Sequence, residues 1–460
     1  MPSHTHAIGI NRRELLQVGY SGAMGLGLMG LPSMPALARP AAGVSPSTKS
    51  AKSMILIFLT GAPSHIDTFD PKPDAPTEIR GEFGTIQTRV PGLLVTELLP
   101  QLAARADKYA VVRTLAHKDN NHLVATHHVL TGQKQPGAFF DKIASRDDWP
   151  AYSAALNYLR PQADGLPSGV NVPTFLMEGP LVWPGQHGGF LGPRHDPWQI
   201  NQNPNAKDFK VENLSPGPGL DVNQLDDRKA LLDQVNRGQE WLSQSMEGRR
   251  MSDQQDRAFS LLTSGRVGQA FEIDRESPAM RDRYGRHPFG QSLLLARRLI
   301  QAGVPIVQAN MGRVQNWDSH GDIFNRLKRD LVPPLDRGVS ALLDDLDSLG
   351  MLDDTLVVML GEFGRTPKLS SQNADNKIGR DHWAPCFFGL FAGAGVRGGQ
   401  VIGKSDKIGA YPATTPYTPD DVGATIYHTL GLEPASEVHD RVNRPVQLNR
   451  GQVMQVLFTG

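Results

Sequence analysis

The stretch Ser53-Met54-Ile55-Leu56-Ile57-Phe58-Leu59-Thr60, followed at once by Gly61-Ala62-Pro63, decides the fold. Its apolar residues run continuously instead of alternating, so neither face is left for solvent. Runs of this kind form strands in parallel sheets covered by helices on both sides. Gly61-Ala62-Pro63 then ends the strand and opens a loop. Outward from this point, Leu98–Ala106 has helical spacing and Tyr109–Arg113 reads as a second strand. A helix is expected from about His122 to Leu130, stopping near Gly132. Further strands are expected at Pro305–Ala309, Thr355–Leu360 and Phe387–Phe391, with helices at Gln291–Ala302, Leu331–Leu349 and Asp420–Leu430. This alternation implies an α/β fold with a mostly parallel central sheet sandwiched by helices.

Residues 133–220 break the rhythm, being rich in Pro, Gly, Asn and aromatics. So long an irregular stretch is expected to be a loop-rich insertion packed over a functional site. Residues 225–285 look helical and charged, and extend the insertion as a cap or bracing layer. The domain is therefore expected over 53–460, with 133–285 as insertion and helical cap.

Upstream, Arg12-Arg13 precedes Leu15-Leu16, a weakly apolar stretch runs from Val18 to Leu31, and Ala36-Leu37-Ala38 supplies small residues for cleavage. That order is a twin-arginine signal peptide over residues 1–38, followed by a flexible leader over 39–52. The apolar run falls short of the roughly 20 residues that cross a bilayer, so no transmembrane anchor is expected in the mature chain. The implied partner is the twin-arginine translocase, and the implied location is the periplasm or beyond.

Lys+Arg and Asp+Glu balance at 47 each, so no overall field favours nucleic acid or anionic membrane. Cys386 is the only cysteine, which rules out an intramolecular disulfide. Stability must come from the core, and a metal loaded before export in the folded state would add to it.

Ligands of parallel α/β sheets bind beyond the carboxyl ends of the strands. Polar clusters gather there: Ser64-His65-Ile66-Asp67 and Asp70; His117, Asp119, Asn120, Asn121 and His122, then His127-His128; Asn316-Trp317-Asp318-Ser319-His320; Gly361-Glu362-Phe363-Gly364-Arg365; and Gly379-Arg380-Asp381-His382-Trp383. Singly, each has an ordinary reading. Asp67 and Asp70 can cap turns, Glu362 can pair with Arg365, and one of His127 and His128 can simply pack. Together, carboxylates and imidazoles at successive strand ends are how divalent-metal sites are built from distant sequence.

These motifs carry a resemblance. Gly61-Ala-Pro-Ser-His-Ile-Asp-Thr-Phe-Asp-Pro-Lys-Pro73, His117-x4-His122 leading to Leu130-Thr-Gly132, and Gly185-Gln-His-Gly-Gly-Phe-Leu-Gly192 are joined by Trp317-Asp-Ser-His320, Gly361-Glu-Phe-Gly-Arg-Thr-Pro367 and Gly379-Arg-Asp-His-Trp383. Over roughly 53–460 the chain resembles DUF1501, a family of exported bacterial proteins of unknown function, within the alkaline phosphatase/sulfatase-like superfamily. The resemblance implies a metal-dependent hydrolase of phosphate or sulfate esters, carbohydrate-linked ones among them. Asp318 and His320 look like one metal pair, Glu362 stands where a second-metal aspartate is usual, and His382 resembles the final histidine ligand. Asp67 would have to replace the aspartate expected at Thr60-Gly61. His122 stands where those enzymes carry a serine nucleophile, and would form a phosphohistidine, ligate metal or do no chemistry. The Cys/Ser-x-Pro-x-Arg signature of common sulfatases is absent.

The expected metal is a divalent ion of the Zn, Ca, Mg or Mn kind, polarising the ester and lowering the pKa of a bound water. Arg365 is expected to clamp an anionic oxygen, and His187, His195 and Trp198 to line the substrate side. The expected substrate is an anionic ester or a sulfated or phosphorylated glycan. The competing expectation is a hydrolase-like fold without catalysis, serving as a binding or scaffold protein of the cell envelope. The missing serine and missing first aspartate favour it.

Overall fold

The computed structural model describes residues 50–162, 166–211, 265–371 and 377–459. The signal-peptide segment, residues 39–49 of the leader and residues 225–264 of the cap lie outside them. Among the described residues no helix is long and apolar enough to cross a membrane.

Strand β1 (Ser53–Phe58) is buried at every position, as its uninterrupted apolar run requires. The other sheet strands are β2 (Tyr109–Leu115), β3 (Gly169–Val172), β4 (Trp198–Gln199), β5 (Ile306–Asn310), β6 (Thr355–Leu360), β7 (Phe387–Ala392) and β8 (Gln400–Ile402). Their order across the sheet is β8-β2-β7-β6-β1-β5-β3-β4. β1 runs parallel to β6, from Ser53 opposite Thr355 to Phe58 opposite Leu360, and parallel to β5 on its other side. Only β7 is antiparallel to its neighbours, β6 and β2. The sheet is mostly parallel, as expected.

Five helices matter most: α1 (His122–Thr131), α2 (Tyr152–Leu159), α3 (Pro288–Gln301), α4 (Val332–Ser348) and α5 (Pro419–Thr429). Because side chains alternate across a strand, Ile55, Ile57 and Leu59 join one core with Leu293 of α3 and Leu342 of α4. Met54, Leu56 and Phe58 join the opposite core, with Val129 of α1 and Val422 and Ile426 of α5. Two apolar layers therefore clamp β1. Its carboxyl end is the fixed point on which the loops below are arranged.

The insertion differs from expectation. Its segments Gly169–Val172 and Trp198–Gln199 extend the central sheet as β3 and β4, β3 pairing onto β5 and β4 onto β3. Strands of four and two residues are too short for a hydrophobic period to register. Within the expected cap, Gly265–Phe271 and Pro278–Tyr284 supply Val267, Phe271 and Tyr284 to the same core as α3 and α4.

Helix α1 starts at Asn121, whose side chain accepts from the amides of Leu123 and Val124. It ends at Gly132, with φ 67°, where an added Cβ would lie 2.8 Å from the Gly423 Cα. Every residue between is buried. Its His127 donates through Nδ1 to the Gln133 carbonyl at 2.9 Å and accepts from the Trp149 amide through Nε2 at 3.2 Å. Burial pushes this imidazole down to about 3, so it is neutral in the folded state.

The loop after β1 is tied to the loop before β7 by a buried ion pair. Arg380 Nε donates to Asp67 Oδ2 at 2.7 Å and Nη2 to Oδ1 at 3.2 Å. Ser64 Oγ adds a 2.6 Å bond to Asp67, and Arg380 also donates to the Ile79 and Pro367 carbonyls. Both charges are fully buried, so removing one leaves the other without its counter-charge. Arg380→Ala should therefore cost about 3–5 kcal/mol of stability, read as a lower denaturant midpoint.

A second prediction concerns pH. The unfolded chain binds a proton at His127 as pH falls through 6.5, whereas the folded chain does so only near 3. The stabilisation is thus complete above 6.5 and lost progressively between 6.5 and about 3. Unfolding midpoints measured across that window should fall less steeply in His127→Gln than in the parent chain.

Candidate metal centre

Five segments at the carboxyl end of the sheet meet around Asp318. Thr60-Gly61-Ala62 follows β1, Asn316–His320 follows β5, and Glu362–Arg365 follows β6. His122 opens α1 beyond β2, and a short antiparallel pairing sets His382 opposite Arg365. The loops approach so closely that Gly61, at φ 99°, admits no side chain. Its Cβ would lie 2.7 Å from the Asp318 nitrogen and the Gln315 backbone.

Asp318 Oδ2 lies 3.3 Å from His122 Nε2. Asp318 Oδ1 lies 3.0 Å from His320 Nε2 and 3.3 Å from His382 Nε2. The Nε2 atoms of His320 and His382 are themselves 3.0 Å apart.

The opposite nitrogen of each ring faces an oxygen. His122 Nδ1 lies 2.6 Å from Glu362 Oε1, His320 Nδ1 2.7 Å from Asp381 Oδ1, and His382 Nδ1 2.7 Å from the Asn120 carbonyl. Each oxygen calls for a proton on the nitrogen it faces, which leaves Nε2 as the lone-pair side of the neutral ring. Three Nε2 atoms are thereby directed at one carboxylate. Two lone pairs 3.0 Å apart repel unless a proton or a cation lies between them. Histidines oriented through their other nitrogen by carboxylates and carbonyls are the usual supports of a metal. The buried His122 Nε2 makes no aligned hydrogen bond among the described residues. Ligand atoms of His122, Asp318 and His382 all lie within 4.8 Å of one another. This donor set of imidazoles and one carboxylate fits a divalent ion, with His122, Asp318, His320 and His382 to hold it.

The carboxylates draw positive charge, a proton or a cation, to the cluster. Burial opposes charge on His122, but the carboxylates of Asp318 and Glu362 beside its two nitrogens outweigh it and raise the imidazole to about 9. Burial likewise penalises the Asp318 carboxylate, yet His122, His320, His382 and Arg365 hold it far below its ordinary value. Asp318 raises His320, more than its burial lowers it. Aromatic walls close the pocket, with Trp183 stacked on His122 at 5.7 Å and Phe363 4.8 Å from His382. The His320 side chain is 42% exposed, so the cluster opens to solvent on that side.

The structure brings together five of the residues expected from sequence: His122, Asp318, His320, Glu362 and His382. Their roles differ from the expectation in several places. Glu362, expected as a ligand, stands behind His122. Its carboxylate is fully buried and accepts from the Gly61 amide at 2.9 and 3.1 Å, the Ala62 amide at 3.1 Å and His122. His122 is held between two carboxylates, so neither nitrogen is placed to attack a substrate.

Arg365 is no substrate clamp, because protein engages all its nitrogens. Nη1 lies 2.5 Å from Asp318 Oδ1, Nε donates to the Ala62 carbonyl at 2.8 Å, and Nη2 donates to the Gly61 carbonyl. Asp67 does not fold back into the cluster, being committed to Arg380.

The insertion residues expected to line the substrate side are engaged with other partners. His187 Nδ1 accepts from the Gly189 amide at 2.9 Å, within its own turn. His195 is held by Asn157 and Arg194, and Trp198 lies in β4 with its ring against Phe271. Three contributors had been given no role, Asp381, the Asn120 carbonyl and the Trp183 ring. Asp381 precedes His382 in sequence, and a carboxylate beside a candidate ligand was the available signal. A carbonyl leaves no such mark.

No curated protein matches the sequence. Among solved structures, the chain is similar to the crystal structure of Ps i-CgsB at 12% identity and TM-score 0.39, covering 84% of this chain and 73% of that one. It is also similar to the alkaline phosphatase of the Antarctic bacterium TAB5, at 9% identity and TM-score 0.38, covering 84% and 99%. The phosphonate monoester hydrolase SpPMH from Silicibacter pomeroyi matches at 12% identity and TM-score 0.34, covering 90% and 77%. Over residues 51–458 the sequence matches the family described as protein of unknown function, DUF1501, and the chain belongs to that family.

Proposed function

We propose that the chain is an exported, metal-dependent hydrolase of phosphate or sulfate esters, acting in the periplasm or outside the cell. The observation that carries this reading is the convergence of three Nε2 atoms on Asp318, with an oxygen behind every Nδ1. A divalent ion held there supplies Lewis-acid polarisation of an ester oxygen.

The chain's own residues orient and exclude. Glu362, Asp381 and the Asn120 carbonyl fix the ring tautomers. Trp183 and Phe363 keep water from one side of His122. His320, on the open side, would hold the ion through Nε2 while Asp381 fixes its ring through Nδ1. The attacking group in this reading is water. Thr60 and Ser319, the hydroxyls next to the cluster in sequence, donate to backbone carbonyls, and burial pushes the Cys386 thiol up to about 12. The substrate class is an anionic ester, with sulfated or phosphorylated glycans as the leading candidates.

A second reading has its own observation. Arg365 lies against Asp318 Oδ1 at 2.5 Å and neutralises the carboxylate that a metal would need. On that reading the chain is a non-catalytic binding or scaffold protein of the cell envelope.

Elemental analysis of protein from metal-replete medium separates the two. The hydrolase reading expects about one equivalent of divalent metal or more, removed by chelators together with hydrolysis of aryl phosphates or sulfates. His320→Ala and His382→Ala should abolish both, while Asp381→Asn should weaken metal binding by about 10- to 100-fold. Metal-free wild-type protein, or unchanged turnover in both histidine variants, would sink the hydrolase reading. Export has a separate test. Replacing Arg12 and Arg13 by Lys should leave uncleaved precursor in the cytoplasm, and continued export of that variant would count against the twin-arginine route.

A further inference from the structure

A second group of donors lies on the far side of Glu362. His117, Asp119 and His128 offer ligand atoms that all lie within 4.8 Å of one another. The two rings face each other at 5.7 Å, inclined at 63°. His128 Nε2 lies 2.6 Å from Asp420 Oδ2, near the start of α5, so that nitrogen carries the proton. The nitrogen left over is Nδ1. It is buried on a residue 1% exposed and has no hydrogen-bond partner among the described residues. A polar atom so buried is costly to leave without a partner, so a position like this calls for a ligand.

His117 is oriented in the same way. Its Nε2 donates to the Glu362 carbonyl at 2.6 Å, which leaves Nδ1 as the lone-pair side. Nδ1 at present accepts from the Asp119 amide at 3.1 Å, a bond that an incoming cation would replace. Asp119 and Asp420 bring two negative charges to the neighbourhood, and Lys134 brings one positive charge.

From this geometry we infer a second divalent-metal site, formed by His117, Asp119 and His128 and oriented by Asp420 and the Glu362 carbonyl. Two imidazole nitrogens and a carboxylate oxygen select an ion of the zinc class, with solvent completing the shell. His128 stands six residues beyond His122 on α1, about 9 Å along its axis, so the two sites are separate. The bound ion ties the loop after β2 to the last turn of α1 and, through Asp420, to α5. Its role is to brace the elements that hold Glu362 and His122, and it takes no part in turnover.

The test uses the full chain carrying His320→Ala and His382→Ala, which removes the first centre. This protein is stripped with chelator and titrated with zinc alone. The expected result is one retained equivalent and a rise in Tm with zinc concentration. Adding Asp119→Asn or His128→Gln should abolish retention, and Asp420→Asn should weaken it by about tenfold. Should His128→Gln fail to fold, Asp119→Asn, at a partly exposed position, carries the test. No zinc retained by the double variant, or an unchanged affinity after Asp119→Asn, would overturn the proposal. Since binding is the readout, the result does not depend on whether the chain is a hydrolase.

Discussion

The organisation of this centre depends on one buried carboxylate. Glu362 follows the central strand β6 and is wholly enclosed. Its side chain receives the amides of Gly61 and Ala62 and the imidazole of His122, and its carbonyl receives His117. A carboxylate has about four lone-pair sites, and protein N–H groups take most of them here. The residue thus joins the loop after β1, the start of α1 and the loop after β2 at a single point. Without that acceptor two turned backbone amides and a histidine would be buried without partners, at a cost that marginal stability could not absorb.

This arrangement moves the chemistry away from Glu362. A carboxylate so occupied orients a ligand better than it serves as one, and the ligand it orients is His122. The same logic repeats at Asp381 behind His320 and at the Asn120 carbonyl behind His382. Asp318 is left as the common acceptor, with Arg365 pressed against one of its oxygens. Positive and negative groups are therefore interleaved, so that no buried charge stands alone. The Arg380–Asp67 pair does the corresponding work one layer further out, holding the loop that carries His382 to the loop after β1.

Much of this was legible in the chain. The continuous apolar run at 53–60 gave the direction and depth of the first strand. Recurrent carboxylates and imidazoles at strand ends marked Asp318, His320, Glu362 and His382 before any of them could be seen together. The helix expected from about His122 to Leu130 with a stop near Gly132 is α1 to within a residue. The insertion was less legible, because β3 and β4 are shorter than any detectable period and are fixed by pairing, β3 onto β5 and β4 onto β3. Its histidines and tryptophan looked like a substrate wall because aromatic and polar residues in irregular chain serve packing and binding equally well. His195 and Trp198 are engaged in packing.

What the sequence by itself determined is the layered α/β fold and the residue types gathered at the ends of its strands. Hydrophobic period and loop punctuation are local properties, and they can be read one segment at a time. What only the tertiary structure decided is which atom of each residue faces which. Asp67 turned to Arg380, Arg365 turned to Asp318 and two backbone carbonyls, and Glu362 moved behind His122. The reason is physical. A buried charge takes whichever partner the fold brings within hydrogen-bond reach, and that partner lies tens to hundreds of residues away, where no local pattern records it.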